Sequence, residues 1–183
     1  VVGGIPVHRS TVRRTRNARV FASLSNVCFH ETHTREEEEA WVRENGPYSP
    51  DLVRSVAAAR GRFDRFLFYC YRYYHSYHGL PAVRDKAILV PTAEEDPAIN
   101  LGIFKPFFHA PRGIVYLTPE EQALVEDASG NRGVRSVVIG SGLDLPEANP
   151  ALDFRAKHGI TRPFVLYVGR IDRNKGATTL FAY

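Results

Sequence analysis

Two cations punctuate the stretch "FVLYVGRIDRNKG" at Phe164–Gly176: Arg170 follows an apolar run ending in Gly169, and Lys175 stands just before Gly176. Such a run reads as a buried strand, and α/β sheets bind ligands at the carboxyl ends of their strands. "KGATTLFAY" then begins a helix whose first amides face the same space. Two cations beside free amides make an anion site, most naturally for phosphate. The plainer reading is a strand-to-helix loop with ordinary solvated cations, because the Arg-x4-Lys spacing is weak as a pattern.

A second cluster lies in "PTAEEDPAI", where Glu94, Glu95 and Asp96 follow the apolar run "AILVP". Carboxylates at a strand end bind sugar hydroxyls or an amine. Acids in the first turn of a helix, with Pro97 beside them, also simply complement the helix dipole.

The histidines of "HETH" (His30, His33) and "HSYH" (His75, His78) sit three apart, a spacing that shares a helix face. "HETH" is one residue short of the zinc-protease spacing and no cysteine pair supports it, so no metal is expected. The arginine-rich "HRSTVRRTRNAR" and the aromatic "YCYRYYHSYH" suggest a different function class, a non-catalytic module binding RNA or another polyanion. A net charge of only +4 weighs against that class, and an aromatic helix packed on a sheet explains the second stretch equally well.

The elements that must carry these residues follow a rhythm. Apolar runs recur at "RFLFYC", "AILVP", "GIVYLT", "RSVVIG" and "FVLYVG", continuous rather than alternating, as strands buried on both faces read. Helices are expected between them at Tyr71–Lys86, Glu94–Ala110, Pro119–Ala128 and Ala151–Lys157. Upstream, "GGIPVHR" reads as a short strand and "TVRRTRNAR" as a basic loop. "HTREEEEAWVRENG" reads as a charged surface helix with a Thr34–Glu37 capping box and a stop at Gly46. "YSPDLVRSVAAARG" reads as a helix with Ser49 as N-cap. Thr118 and Glu121 have capping-box spacing again. The sum is an α/β, Rossmann-like, doubly wound and mostly parallel sheet. "GSGLDLPEANP", broken by Gly140, Gly142, Pro146 and Pro150, reads as a linker, so residues 1–143 form one domain and 144–183 the linker and start of a second.

The totals set bounds. With 44% hydrophobic and 24% charged residues the chain has the composition of a globular domain able to bury a core. The longest clear apolar run, "FLFYCY", is far below the roughly 18 residues of a membrane span. Two cysteines make no disulfide framework, and no export signal opens the chain, so a cytoplasmic setting is expected. The chain begins at Val1 and holds no methionine, so a fragment is expected.

"FVLYVGRIDRNKG", preceded by "VVIGSGLD", resembles the entry into the nucleotide-binding domain of glycosyltransferase family 4, the retaining enzymes of the GT-B fold. In that family a strand ending in Gly-Arg is followed by a short loop and Lys-Gly, as at Gly169, Arg170, Lys175 and Gly176. Ser141 departs from the asparagine usual in the preceding turn. The upstream runs resemble the acceptor-side domain, loosely over residues 1–60 and better over 61–140.

The resemblance implies that Gly169, Arg170 and Lys175 hold the diphosphate of a nucleotide-sugar donor, with no metal and no other cofactor. It implies transfer to a sugar, lipid-linked or other acceptor with retention of configuration, in bacterial polysaccharide or glycolipid synthesis. The setting is cytoplasmic with room for peripheral contact at the inner membrane face, and no nucleic acid is expected. It places Glu94 where relatives carry a histidine near the transferred sugar, and makes Glu95, Asp96, Gly142 and Asp144 candidates to line the cleft. Neither the paired glutamates of the donor domain nor the acceptor-side glycine loop occurs in the sequence, so the 183-residue chain is expected to be inactive alone.

Overall fold

A computed structural model describes residues 1–144, 151–171 and 175–183. The chain divides into two compact units, Val1–Ser141 and Gly142–Tyr183.

The first unit is an α/β fold built on four parallel strands, β1 (Phe66–Tyr69), β2 (Ala87–Val90), β3 (Gly113–Tyr116) and β4 (Ser136–Val138), in the order 1-2-3-4. The register pairs Phe66 with Ala87, Leu89 with Ile114, and Tyr116 with Val138. One face therefore carries Phe68, Ala87, Leu89, Ile114 and Tyr116, all in the hydrophobic core. Its cover comes from Leu80, Val83, Phe104, Phe108 and Val125, in the segments that connect successive strands.

The opposite face carries Leu67, Tyr69, Ile88, Val115 and Val137. Leu67 is 64% exposed, Tyr69 58% and Val137 50%. Burial on both faces, expected from the continuous apolar runs, therefore fails for β1 and β4. The strand order explains this: each crossover steps in the same direction, and right-handed crossovers of one direction stack their helices on one face. The described strands lack the reversal of order that defines a doubly wound sheet.

Connecting helices are shorter than the sequence suggested. Tyr71–Lys86 resolves into α4 (Tyr74–Gly79) and a 3-10 turn, Leu80–Val83, with Pro81 at the break. Glu94–Ala110 resolves into a 3-10 turn, Pro97–Asn100, and α5 (Phe104–Phe108), because Pro97, Gly102 and Pro106 prevent a continuous helix. α6 (Pro119–Ser129) keeps its expected extent and ends at Gly130, whose φ of 73° is the left-handed C-cap.

Three helices precede the sheet. α1 (Ala18–His30) occupies part of what read as basic loop, and Asn17 caps it by accepting from the amides of Arg19 (3.0 Å) and Val20 (3.3 Å). α2 (Arg35–Asn45) has the expected Thr34–Glu37 capping box and Gly46 stop. It is not a surface helix, however: Glu38, Trp41, Val42, Glu44 and Asn45 are buried. Trp41 stacks among Phe21, Phe29 and Phe104, with ring centroids 5.4, 5.6 and 6.5 Å away. α3 (Pro50–Ala58) starts after Ser49, whose hydroxyl donates to the Thr11 carbonyl (2.8 Å) rather than capping the helix. The expected strand in "GGIPVHR" is only a tight turn, a single bridge between Val2 and Ile5 with positive φ at Gly3 and Gly4.

Glu38 ties α2 to the segment before α5. Its carboxylate accepts from the amides of Gly102 (2.8 Å) and Ile103 (2.9 Å) and meets His33 Nε2 at 3.0 Å. His33 Nδ1 lies 2.9 Å from the Glu31 carbonyl, so the imidazolium donates through both nitrogens. Those two bonds hold the His33 pKa above its ordinary value.

In the second unit, α7 (Ala151–His158) is followed by the apolar run Phe164–Val168, which forms no strand. Val165 and Val168 are 82% and 84% exposed. A strand needs a neighbour for its amides and carbonyls, and the described residues of this unit provide none. Pro146 and Pro150 of the expected linker lie outside the described residues.

Two outcomes follow from the Glu38 cluster. Glu38→Ala strands two amides, one of them buried, and should cost about 2–4 kcal/mol in chemical denaturation, with Glu38→Gln milder. A raised folded-state pKa adds stability that is complete below the unfolded pKa and vanishes as pH rises through the folded one. The stability gap between wild type and His33→Gln should therefore narrow as pH is raised from acid to alkaline; a constant gap contradicts the imidazolium role.

Candidate functional site

The carboxyl edge of the sheet carries Arg72, Glu94, Glu95 and Asp96, after β1 and β2. Beyond β1 the chain stays paired with β2, Cys70 N donating to Val90 O (3.0 Å) and Tyr71 N to Pro91 O (3.1 Å). Cys70 and Thr92 then turn with φ of 62° and 48°, the only positive values of non-glycine residues among those described. Such angles cost energy and persist only where surroundings hold them. Here the Thr92 hydroxyl donates to Cys70 Sγ at 2.8 Å, joining the two turns to each other.

Two further ties brace this edge. Arg72, after β1, forms an ion pair with Asp96, after β2. Asp96 also accepts from Ala98 N (2.9 Å), and the Arg72 carbonyl accepts from Asn45 Nδ2 (2.9 Å). Asp96 is thus an N-cap and brace, half-buried, rather than a carboxylate open to ligand. Glu121 of α6 supplies the other tie. Its amide donates to Thr118 Oγ1 (3.1 Å), half of the expected capping box. Its carboxylate leaves the box and accepts from Ala93 N (2.7 Å) and Leu117 N (2.6 Å), spanning the ends of β2 and β3.

Glu94 and Glu95 stand on the loop so braced, exposed. Only the short 3-10 turn Pro97–Asn100 begins beyond them, and they precede its N-cap Asp96, so a helix dipole has little hold on these acids. Tyr71 beneath them is 2% exposed, ringed by Phe104 and Phe108 at 4.8 and 5.2 Å. Burial first, then the Asp96 charge, push its phenol far above the ordinary range, so it stays protonated.

The other candidates belong to the second unit. Gly142 and Asp144 are exposed. Arg170 and Lys175 are exposed, and the residues between them at 172–174 lie outside the described residues; the Tyr167 hydroxyl donates to the Arg170 carbonyl (2.6 Å) and lies 3.3 Å from the Lys175 carbonyl. Tyr167 thereby clasps the backbones of the two cation-bearing residues. Gly169 has φ of 156°, and a Cβ there would sit 3.3 Å from that hydroxyl. Both conformation and space favour glycine. The helix expected to aim its amides at this site is α8 (Ala177–Phe181), five residues long, so its dipole contributes little.

The arginine-rich N-terminal segment is exposed, but its arginines bond to the fold. Arg13 pairs with Asp51 (3.2 Å), Arg14 with the buried Glu44 (3.1 Å), and Arg16 donates to the Asn45 carbonyl while lying 4.3 Å from the Phe21 ring centroid. Tyr71 and Tyr74 of the aromatic stretch are buried. Burial lowers the pKa of both His75 and His78. Among the described residues no three metal-ligating side chains converge, and no helix is long and apolar enough to cross a membrane.

The Glu121 tie is directly measurable. Glu121→Ala should raise hydrogen exchange at the Ala93 and Leu117 amides selectively and cost about 2–4 kcal/mol of stability. Uniform exchange changes across the sheet would deny it the bracing role. No family model, curated protein or solved structure matches the chain.

Proposed function

We propose that this chain supplies the acceptor-side unit and the entry of the donor-side unit of a retaining GT-B glycosyltransferase resembling family 4. The observation that carries the proposal is at Arg170 and Lys175. These two residues of the Gly-Arg…Lys-Gly resemblance are both exposed, and their carbonyls share the Tyr167 hydroxyl. The parallel α/β unit ahead of it is compatible with such an enzyme.

In this reading Arg170 and Lys175 bind the diphosphate of a nucleotide sugar. As the bond from the anomeric carbon to the diphosphate oxygen breaks, negative charge grows on the leaving group, and preplaced cations stabilise it most at that point. Glu94 or Glu95, exposed at the carboxyl edge of the first unit's sheet, offers a carboxylate to sugar hydroxyls or an acceptor amine. The rival, a polyanion-binding module using the N-terminal arginines, has less support because Arg13, Arg14 and Arg16 bond within the fold.

In an active enzyme carrying this chain, Arg170→Ala or Lys175→Ala should weaken donor binding about ten-fold, towards the lower end for charge-assisted contacts because both residues are solvated. Turnover should fall by more than affinity, since the contact strengthens in the transition state. Donor titration and steady-state kinetics check this, and unchanged values for both variants would sink the assignment. Tyr167→Phe removes the clasp but no charge; it should reproduce part of the loss, whereas an unaltered Tyr167→Phe enzyme leaves the clasp without a role.

A further inference from the structure

The opposite edge of the sheet has a charge pattern that the proposed transferase reaction does not use. Every strand is preceded by a cation: Arg65 before β1, Lys86 before β2, Arg112 before β3 and Arg135 before β4. Lys86 is engaged, its Nζ donating to the carbonyls of Arg60 (2.8 Å) and Phe63 (2.9 Å). Around Arg112 the surface is concave. One hollow of about 460 Å³ is lined by His109, Arg112, Val134 and Arg135; another of about 360 Å³ is lined by Arg84, Asp85, His109 and Arg112. They share His109 and Arg112.

Three properties make this more than a solvated basic surface. First, Arg112 and Arg135 are mounted on the ladder itself: Arg112 N donates to Ala87 O (3.0 Å), and Ile114 N donates to Arg135 O (2.9 Å). Their backbones are as fixed as the strands, the arrangement a precise site requires. Second, no carboxylate of the described residues lies within ion-pair distance of Arg84, Arg112 or Arg135. The one acid lining the hollows, Asp85, is paired with Arg60 at 2.8 Å. Third, His109 Nε2 donates to the Ser129 carbonyl (2.9 Å), which fixes the ring.

We propose that the two linked hollows at the amino edge, between Arg84, Arg112 and Arg135, form a binding site for a free anion carrying two or more phosphate groups. Guanidinium forks match phosphate oxygens two at a time, and Arg112 and Arg135 line one hollow together, so more than one phosphate group can be met there. Apart from His109 the hollow-lining residues include no aromatic ring on which a nucleic acid base would stack. This site goes beyond the proposed transferase function and stands on different residues.

The test is calorimetric titration of the chain with inorganic tripolyphosphate at low salt, with amide resonances followed in parallel. Binding should shift the amides of Arg112, Gly113, Arg135 and Ser136. The double variant Arg112→Gln/Arg135→Gln should weaken it about ten-fold, a discount for solvent already taken. Arg84→Ala, an exposed single change that leaves the ladder intact, should weaken it by a smaller factor. Arg170→Ala/Lys175→Ala should leave it unchanged. Equal weakening by both double variants, or no binding, overturns the site while leaving the donor-loop assignment to its own kinetics. Preference for a single-stranded oligonucleotide or for phosphatidylglycerol vesicles over tripolyphosphate, lost in Arg112→Gln/Arg135→Gln, also overturns it, by assigning the edge to a macromolecule or a membrane.

Discussion

Buried carboxylates that receive backbone amides from distant loops hold the first unit together. Glu38 binds the segment before α5, Glu121 joins the ends of β2 and β3, and Glu44 accepts from Asn17 N at 2.6 Å while pairing with Arg14. All three are less than 10% exposed. A charge at such depth is tolerable only because several donors converge on it. Each carboxylate therefore demands its loop as much as the loop demands it. The alternative, an apolar residue at the same place, would leave the loop amides without partners. The irregular segments thus become part of the core.

The strands are legible because their runs are short, rich in aromatic or β-branched residues, and regularly spaced. Their parallel order could be anticipated from the intervening segments. The one-sided burial could not, since Leu67 and Val137 read like any core residue until the strand order is known. α1 is marked in the sequence by Asn17 followed by Phe21, Leu24 and Cys28 at helical spacing, but the arginines before it give its start the composition of a loop. α2 was misjudged because four consecutive glutamates suggest solvent, and nothing local reveals that Glu38 meets amides more than sixty residues away. The same limit applies to the carboxyl edge. Glu121 has capping-box spacing, yet its carboxylate finds better donors across the sheet. Tyr167 looks in the sequence like one more residue of an apolar run, whereas its hydroxyl meets the carbonyls of both Arg170 and Lys175.

The carboxyl edge shows how a sheet can offer open acids on a rigid base. Cys70 and Thr92 hold unfavourable backbone angles, and the Arg72–Asp96 pair, the Thr92–Cys70 bond and the Glu121 bridge surround them. Such turns are stable only collectively, so a change at one of them reaches the position of Glu94 and Glu95 without touching either. Asp96 illustrates the division of labour: three acids in a row have the same chemistry, but geometry makes the half-buried one an N-cap and brace, while Glu94 and Glu95 are exposed.

The cation before each strand has a meaning that precedes the folded state. Parallel strands pair late, because every pairing must wait for a crossover segment to close. Until then "FLFY", "AILV" and "GIVY" are exposed apolar segments of high strand propensity, the kind that associates between chains. A positive charge at the threshold of each run repels its counterpart on another molecule and discourages in-register stacking. Arg65, Lys86, Arg112 and Arg135 thus guard the unfinished chain at the positions that later become the rim of its sheet.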